Sequence, residues 1–481
     1  MQRPRFLSHI RRMKLSTLRS LAGIVRSPVV AESRRNLDEM WARLPEPLRT
    51  PHQMLGRQGG GCGATIGAMP RCDFACRGCY LGEDANRIPA QSVEEIKRQM
   101  RLLRPVLGNA GNIQLTDGEI TLRPADEVIE LLCYAQSIGL IPMLMTHGDS
   151  FRRRPGLLER YMWEGGLVEV SIHVDTTQRG RKGADWRNPP NEAALNPLRD
   201  EFAAMVRTAI KRTGLPLRPA TTMTVTRENL DGVPDVMRWL TRNSDAFRMI
   251  SFQPIAQVGR TEDGLGGGVL VEELWARIAE GLYGPDEPPE RLLRGQKWLG
   301  HAACNRFVHG LVARRQGGQP TFHPVREDGD RVDERVVDGF LRRFGGVSFR
   351  RDDPLELAAR LLGVALHAPG FVARNVVPYA AHWLRRLDPE RPLRAAHQLA
   401  RNRLAVNGLA IVSHHFMSRA EIETPLGQER LAQCVFHVPI GDKLVSMCEV
   451  NALGVRDAYY EQISADARAA ATAGELTGSQ H

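Results

Sequence analysis

The sequence predicts an α/β protein built on a parallel sheet that coils into a complete or partial barrel. Three observations carry that prediction. Between residues 56 and 257, short apolar or β-branched runs alternate with longer mixed segments. The runs are almost continuously hydrophobic, as parallel strands covered on both faces are. The segments between them are long enough to be crossover helices.

Six runs read as strands: GCGATIGAM (61–69), NIQLT (112–116), LIPMLMT (140–146), LVEVSIHVD (167–175), ATTMTVT (220–226) and MISFQPI (249–255). The first crossover opens on Ser92-Val93-Glu94-Glu95, a capping box in which Ser and Glu satisfy opposite ends of the first helical turn. DGLGGG (263–268) reads as a hinge after the sixth strand. Beyond it VEELWARIAEGL is expected to be helical, with further helices between Pro354 and His397. From Ser464 the chain turns small and polar, so disorder is expected there. The domains expected are an N-terminal extension (1–55), a core barrel (56–262), a mainly helical region containing Cys304 (263–400), a C-terminal hairpin region (401–463) and a tail (464–481).

Composition sets limits. With 42% hydrophobic and 25% charged residues, the 481-residue chain reads as an ordinary globular protein. No run approaches the ~20 apolar residues of a membrane span. Eight cysteines are too few for a disulfide scaffold, which points to a reducing compartment, the cytoplasm. The net charge of +10 is carried largely by arginine, and no basic stretch is interleaved with aromatics, so nucleic acid is not an expected partner. Arg5, Arg12, Arg19 and Arg26 recur every seventh residue beside an apolar face that includes Ile10, Leu18, Leu21 and Val25. Such a helix suits an anionic membrane surface at the inner face of the membrane; a mitochondrial transit peptide looks similar, and simple packing on the domain is the commoner case.

The densest chemical signal is RCDFACRGCY, which places Cys72, Cys76 and Cys79 in a CxxxCxxC triplet just after the first strand. Three thiolates can hold three irons of a [4Fe–4S] cube and leave the fourth open. A zinc site would usually add a second CxxC or an HxxxH pair, and the sequence has neither. The triplet resembles the signature of the radical S-adenosylmethionine (SAM) superfamily. That resemblance implies an open, TIM-like (βα)6 partial barrel, a SAM molecule chelated by the open iron, and reductive cleavage to methionine and a 5′-deoxyadenosyl radical. It also implies a flavodoxin- or ferredoxin-type electron donor.

The resemblance extends strand by strand, because parallel barrels place their chemistry at the carboxyl ends of strands. Where the family has an aromatic before the third cysteine, this chain has Gly78, with Tyr80 after it. Thr116-Asp117-Gly118-Glu119 resembles the family's GGEP motif, so Gly118 and Glu119 are expected at the SAM amino group. On the fourth strand Ser171, His173 and Asp175 share one face and are expected to meet SAM ribose or carboxylate. The basic loop 176–182 could bind a carboxylate or phosphate. Glu228 and Ile255 complete the expected SAM contacts, and no residue is assigned a catalytic role. His147 ends the third strand, where a satisfied structural histidine is the commoner case.

Three of the five other cysteines carry a second signal. Cys434 and Cys448 flank a run that reads as a hairpin with Gly441-Asp442 in its turn. If residues 440–442 form a three-residue loop, the two thiols face each other. With Cys304 they are expected to hold a second [4Fe–4S] cluster. Cys304 near His301, the run His415–Met417, and Cys434 and Cys448 followed by Asn451 resemble the tail of tetraether-lipid-synthase-like radical SAM enzymes. That likeness implies hydrogen abstraction from an unactivated carbon of a lipid or fatty-acyl chain. Two alternatives stand beside it: modification of a peptide or small heterocycle, including methyl or methylthio transfer, and a non-catalytic Fe–S sensor.

Overall fold

The structure, a computed structural model, describes residues 15–29, 31–57, 63–183, 186–347 and 354–478. All six expected strands form: β1 (Thr65–Met69), β2 (Gly111–Asp117), β3 (Leu140–Thr146), β4 (Glu169–His173), β5 (Arg218–Val225) and β6 (Met249–Pro254). Each pairs in parallel with the next, in sequence order. Helices Val93–Leu107, Ala125–Ser137, Asn196–Thr213 and Val233–Arg242 are among the crossovers that cover the outside. The first shows why these segments fold so. Ser92 caps it through the Glu95 amide, and Ile96, Met100, Leu103 and Leu107 recur at helical spacing to form its buried face. Each such side chain contributes roughly 1.5–3 kcal/mol on leaving water.

Past β6 the chain departs from expectation. Strands β7 (Asn305–Arg315), β8 (Thr321–Pro324) and β9 (Leu404–His414) join the same sheet, in the order β6-β9-β7-β8. β9 lies parallel to β6 and antiparallel to β7, so the barrel sheet does not end near residue 262, and the region from 401 starts inside it. The backbone edge of β6 needs a partner, and a long, half-buried strand supplies one.

The tail also differs. Instead of disorder from Ser464, helix Val455–Gly478 runs on through ADARAAATA, where alanine's helix propensity sustains it. At the other end Arg5, Arg12 and Ile10 lie outside the described residues. The described helix Leu15–Arg26 packs on helix Pro354–His367, where Gly363 lets the backbone of Ile24 and Val25 approach and Arg360 donates to the Pro28 carbonyl at 3.2 Å. Among the described residues no single helix is long and apolar enough to cross a membrane. Leu355–His367 and Pro369–Leu387 pass that test only as a pair bent by 118°.

The C-terminal hairpin forms, with a different turn. β10 (His437–Ile440) pairs with β11 (Lys443–Ser446) so that Ile440 faces Lys443, leaving a two-residue turn at Gly441-Asp442 rather than three. Gly441 at φ +56° supplies the left-handed conformation such a turn requires. Cys434 therefore lies before β10 and Cys448 in helix Met447–Ala452, outside the paired register.

Candidate active site

A cavity of about 190 Å³ opens at the carboxyl ends of the strands and is lined by Cys72, Cys76 and Cys79. All three cysteines line this one space, and an iron–sulfur cube held by three thiolates needs such a space between them. Their loop is clamped from several sides. Ala75 N donates to Arg179 O at 2.9 Å, Arg77 N to Thr177 O at 3.0 Å and Arg260 N to Cys79 O at 3.0 Å. Burial pushes the Cys72 thiol up strongly and the Cys76 thiol up to about 12. Such thiols are thiolates only beside a cation, which is what an iron cluster provides.

Two glycines make room for the loop. A Cβ on Gly118 would lie 2.2 Å from the Arg71 carbonyl oxygen, and one on Gly78 would lie 2.0 Å from Ile255 Cδ1. Ile255 thus fills the space an aromatic before the third cysteine would need, which accounts for glycine there. Both Gly78 and Ile255 line the cavity.

Asp117, where the motif departs from the family pattern, is held by the C-terminal helix. Its carboxylate accepts from Arg456 Nη1 at 2.5 Å and from the Tyr460 hydroxyl, and its carbonyl accepts from Tyr80 Oη at 3.0 Å. The Arg456 guanidinium lies over the Tyr80 ring. Asp117 takes φ +86°, a left-handed backbone that this bonding sustains. Neither Arg456 nor Tyr460 was legible as part of the site, because both lie more than 300 residues downstream.

Glu119 lines the cavity but is fully buried and fully bonded. It accepts from Thr121 Oγ1 at 2.5 Å, Thr146 Oγ1 at 2.7 Å and His147 N at 2.9 Å, tying the end of β2 to the end of β3. His147 in turn meets Asp73 at 2.8 Å and stacks on Phe74 with ring centroids 3.7 Å apart. The hydrogen bond from His147 holds the Asp73 carboxyl well below its usual range, against its partial burial, and Arg153 adds to this.

The β4 residues separate. His173 faces the thiol cavity, and its Nε2 meets Asp175 at 2.5 Å. Asp175 sits behind it, accepting also from Thr177 and from Thr224 N. Burial works against ionisation of Asp175, yet the His173 ring and these donors hold it down to about 2. Ser171 bonds Thr222 at 3.0 Å and faces a second, deeper cavity. Glu228 is not in either cavity wall; it pairs with Arg77 at 2.5 Å on the exposed rim. Arg181, in the basic loop, is buried and spends its donors on Asp149, Gln178 and the His147 and His173 carbonyls, so it braces the loop.

The deeper cavity, about 390 Å³, lies among the earlier halves of the strands and shares Gln114, Met145, Thr222, Gln253 and Phe436 with the first. Its far wall carries Asn112, Glu169 and Arg218, with Asn112 donating to Glu169 at 2.6 Å and Arg218 paired to Glu169 at 3.2 Å. That ion pair is made by the buried Nη2, while the buried Nε makes no hydrogen bond.

Cys304, Cys434 and Cys448 converge although the expected cross-strand pairing is absent. Burial raises Cys434 to about 12 and Cys448 to about 11, and each feels the charge of Cys304. Arg430 Nε lies 3.5 Å from Cys304 Sγ. The group adjoins the first cavity, whose wall includes Phe416, Phe436, Met447 and Asn451.

The model of the "Radical SAM superfamily" matches residues 66–240. This is a radical SAM domain. The chain is a radical SAM enzyme, and a [4Fe–4S] cluster with SAM is its cofactor pair. The chain is similar to a 7,8-dihydro-6-hydroxymethylpterin dimethyltransferase of Methanocaldococcus jannaschii, at 22% identity over 407 residues, 81% of this chain and 76% of the relative. Among solved structures it is similar to Streptococcus suis SuiB bound to S-adenosylmethionine (12% identity, TM-score 0.34, 47% of this chain and 49% of that one). It is also similar to anSMEcpe with bound AdoMet and a Cp18Cys peptide (12%, TM-score 0.33, 46% and 58%). The chain thus spans about half the length of these solved structures.

Proposed function

We propose that this radical SAM enzyme methylates a carbon of a compact polar heterocycle seated in the deeper cavity. One SAM takes the substrate hydrogen and leaves as 5′-deoxyadenosine and methionine, a second gives its methyl and leaves as S-adenosylhomocysteine, and the reductant supplies two electrons. The observation that carries this reading is the far wall of that cavity. Arg218, whose buried Nε makes no hydrogen bond and whose Nη2 is held by its ion pair to Glu169, forms with Asn112 an edge of donors and acceptors that a flat heterocycle matches and an acyl chain does not. The name of the Methanocaldococcus relative, a pterin dimethyltransferase, supports the same substrate class.

In this reading Cys72, Cys76 and Cys79 hold the cluster. When bound, it supplies the electron that splits SAM and yields the radical that takes a substrate hydrogen. The chain's own residues position and shield. Gly118 and Gly78 let backbone and ligand approach, Ile255 and Tyr80 wall the adenosine side, and Glu119 fixes the strand ends whose backbone receives the SAM amino group. His173, held by Asp175, offers a polar contact at the cavity wall. Cys304, Cys434 and Cys448 hold a second cluster beside the same cavity. The electron donor is of flavodoxin or ferredoxin type, in the cytoplasm.

The test uses reconstituted protein with SAM, dithionite and 7,8-dihydro-6-hydroxymethylpterin. Methylated pterin together with substrate-dependent 5′-deoxyadenosine is expected, and Arg218→Met should raise KM for the pterin while leaving substrate-free SAM cleavage intact. No methylated product from any pterin or purine offered would sink the heterocycle reading.

A lipid substrate is the second reading. It is favoured by the outer faces of helices Pro354–His367, Pro369–Leu387 and Pro392–Ala400, where Leu361, Leu366, Val377 and Leu393 are exposed. Sedimentation with anionic liposomes that fails in Leu366→Ser/Val377→Ser protein would support a membrane-peripheral enzyme; equal sedimentation would remove it.

A further inference from the structure

Far from both cysteine groups, three side chains meet where the loop after β8 packs against helix Pro369–Leu387. Asp330 caps the short helix Arg331–Asp333, accepting the Val332 and Asp333 amides on Oδ1 and leaving Oδ2 turned outward. Asp333 is fully buried; its Oδ2 accepts from Glu327 N at 2.9 Å and Arg386 Nη2 at 2.6 Å. Its Oδ1 has no hydrogen-bond partner. His382 comes from the facing helix, and its buried Nε2 likewise makes no hydrogen bond. Nε2 lies 3.3 Å from Asp330 Oδ2 and 3.4 Å from Asp333 Oδ1. Arg386 Nη2 also reaches Asp330 Oδ2, at 3.4 Å.

We propose that Asp330, Asp333 and His382 form a mononuclear zinc site, with a fourth position for water. The distances favour an ion over a protonated histidine. An imidazolium would aim its N–H at one carboxylate and close to about 2.7–2.9 Å. Instead the nitrogen stands almost equally far from both oxygens and bonds neither. Tetrahedral zinc, with bonds of about 2.0–2.1 Å, separates its ligands by about 3.3–3.4 Å, which is the distance of Nε2 from each of the two oxygens here.

Charge and support agree. Asp330, Asp333 and Glu327 carry three negative charges against Arg386 alone when His382 is neutral, and a divalent ion brings the group to neutrality. Imidazole with carboxylates disfavours magnesium and calcium. Each carboxylate is oriented through its other oxygen, by the helix N-terminus at Asp330 and by Arg386 and a backbone amide at Asp333, the kind of outer support that metal ligands use. A π-helical turn, Glu334–Asp338, follows directly, and such turns gather at functional positions. Such an ion would fasten the loop after β8 to the outer helical lobe.

The decisive measurement is metal content of the cluster-reconstituted holoprotein. About one zinc per chain is expected beyond the iron. Cobalt(II) offered in place of zinc should give the visible ligand-field bands of a tetrahedral site. His382→Ala and Asp330→Asn should each lose the zinc and the cobalt bands, while iron content and 5′-deoxyadenosine yield stay at the wild-type level. Should His382→Ala fail to fold, the cobalt spectrum of the wild type and the partly exposed Asp330→Asn still decide. Wild-type protein without zinc and without cobalt bands would overturn the proposal, leaving an ionic staple only. Zinc retained in both variants would overturn it too, placing the ion elsewhere.

Discussion

Cys72, Cys76 and Cys79 come from one loop of eight residues, whereas Cys304, Cys434 and Cys448 are drawn from three segments spread over 145 residues. In each group burial pushes two thiols upward, Cys72 and Cys76 in the first and Cys434 and Cys448 in the second, and both groups adjoin the same cavity. They differ in what holds them. The first loop is fixed by its own backbone bonds to the neighbouring 177–179 and 260–262 segments and by the Arg77 ion pairs with Glu228 and Glu262. The second group exists only once β9, the hairpin and helix Met447–Ala452 have docked. A local ligand set tolerates damage elsewhere in the fold; a tertiary one reports on it.

The comparison can be broken outright at the first loop. Replacing Cys72, Cys76 and Cys79 together by Ala should drop 5′-deoxyadenosine formation to the buffer blank while circular dichroism stays native, since no clamp of the loop uses a thiol as its main bond. Residual turnover in that protein would remove the assignment of the cluster.

Arg456→Met should have the next largest effect. It strands the Asp117 carboxylate, buried and ion-paired, beneath the first loop. Breaking such a pair costs about 3–5 kcal/mol, and the denaturation midpoint should fall accordingly. Asp117→Asn with Arg456→Met should recover part of the loss. If the single variant is as stable as wild type, the C-terminal helix does not support the site.

In cluster-free protein the burial of the second group should be directly readable. Cys448 and Cys434, raised by burial to about 11 and about 12, hold far fewer thiolates at pH 8 than an ordinary thiol of pKa 9. Alkylation by iodoacetamide should be about a hundredfold slower at Cys448 than at a small-molecule thiol of pKa 9, and slower than at the exposed Cys133. The rate should climb about tenfold per pH unit until pH approaches 11. A Cys448 as fast as Cys133 would mean the pocket opens in solution.

The smallest effect separates the groups by count. With two cubes the wild type should carry about eight irons per chain, and Cys434→Ala/Cys448→Ala about four. A wild type near four would leave only the first loop loaded and retire the second cluster.

How far the sequence reveals this molecule follows from the range of its interactions. The six barrel strands were readable because continuous apolar runs and helical spacing are local signals, as Leu140–Thr146 and the face of Ile96, Met100 and Leu103 show. Gly78 looked like a departure from pattern, and only the packed Ile255 side chain explains it. Asp117 resisted for the same reason, since its partners Arg456 and Tyr460 are remote in sequence. Glu228 shows the opposite case. A matching residue type in the right place turned out to pair with Arg77 on the rim. The convergence of Cys304 with the other two cysteines was inferred through a hairpin register that does not occur, because a one-residue change of turn moves every pairing.

One feature of the sheet bears on how the chain is made. The strand beside β6 is synthesised about 150 residues after it, with β7, β8 and the helical lobe in between. During translation at ≈ 5–20 residues per second, the backbone edge of β6 stays unpaired for roughly eight to thirty seconds after it leaves the ribosome. An open parallel edge is a template for a wrong strand, from this chain or another. The nascent protein therefore passes through a long interval in which its barrel is nearly whole and its most adhesive edge is bare. Its yield in a cell should depend on how well that interval is chaperoned.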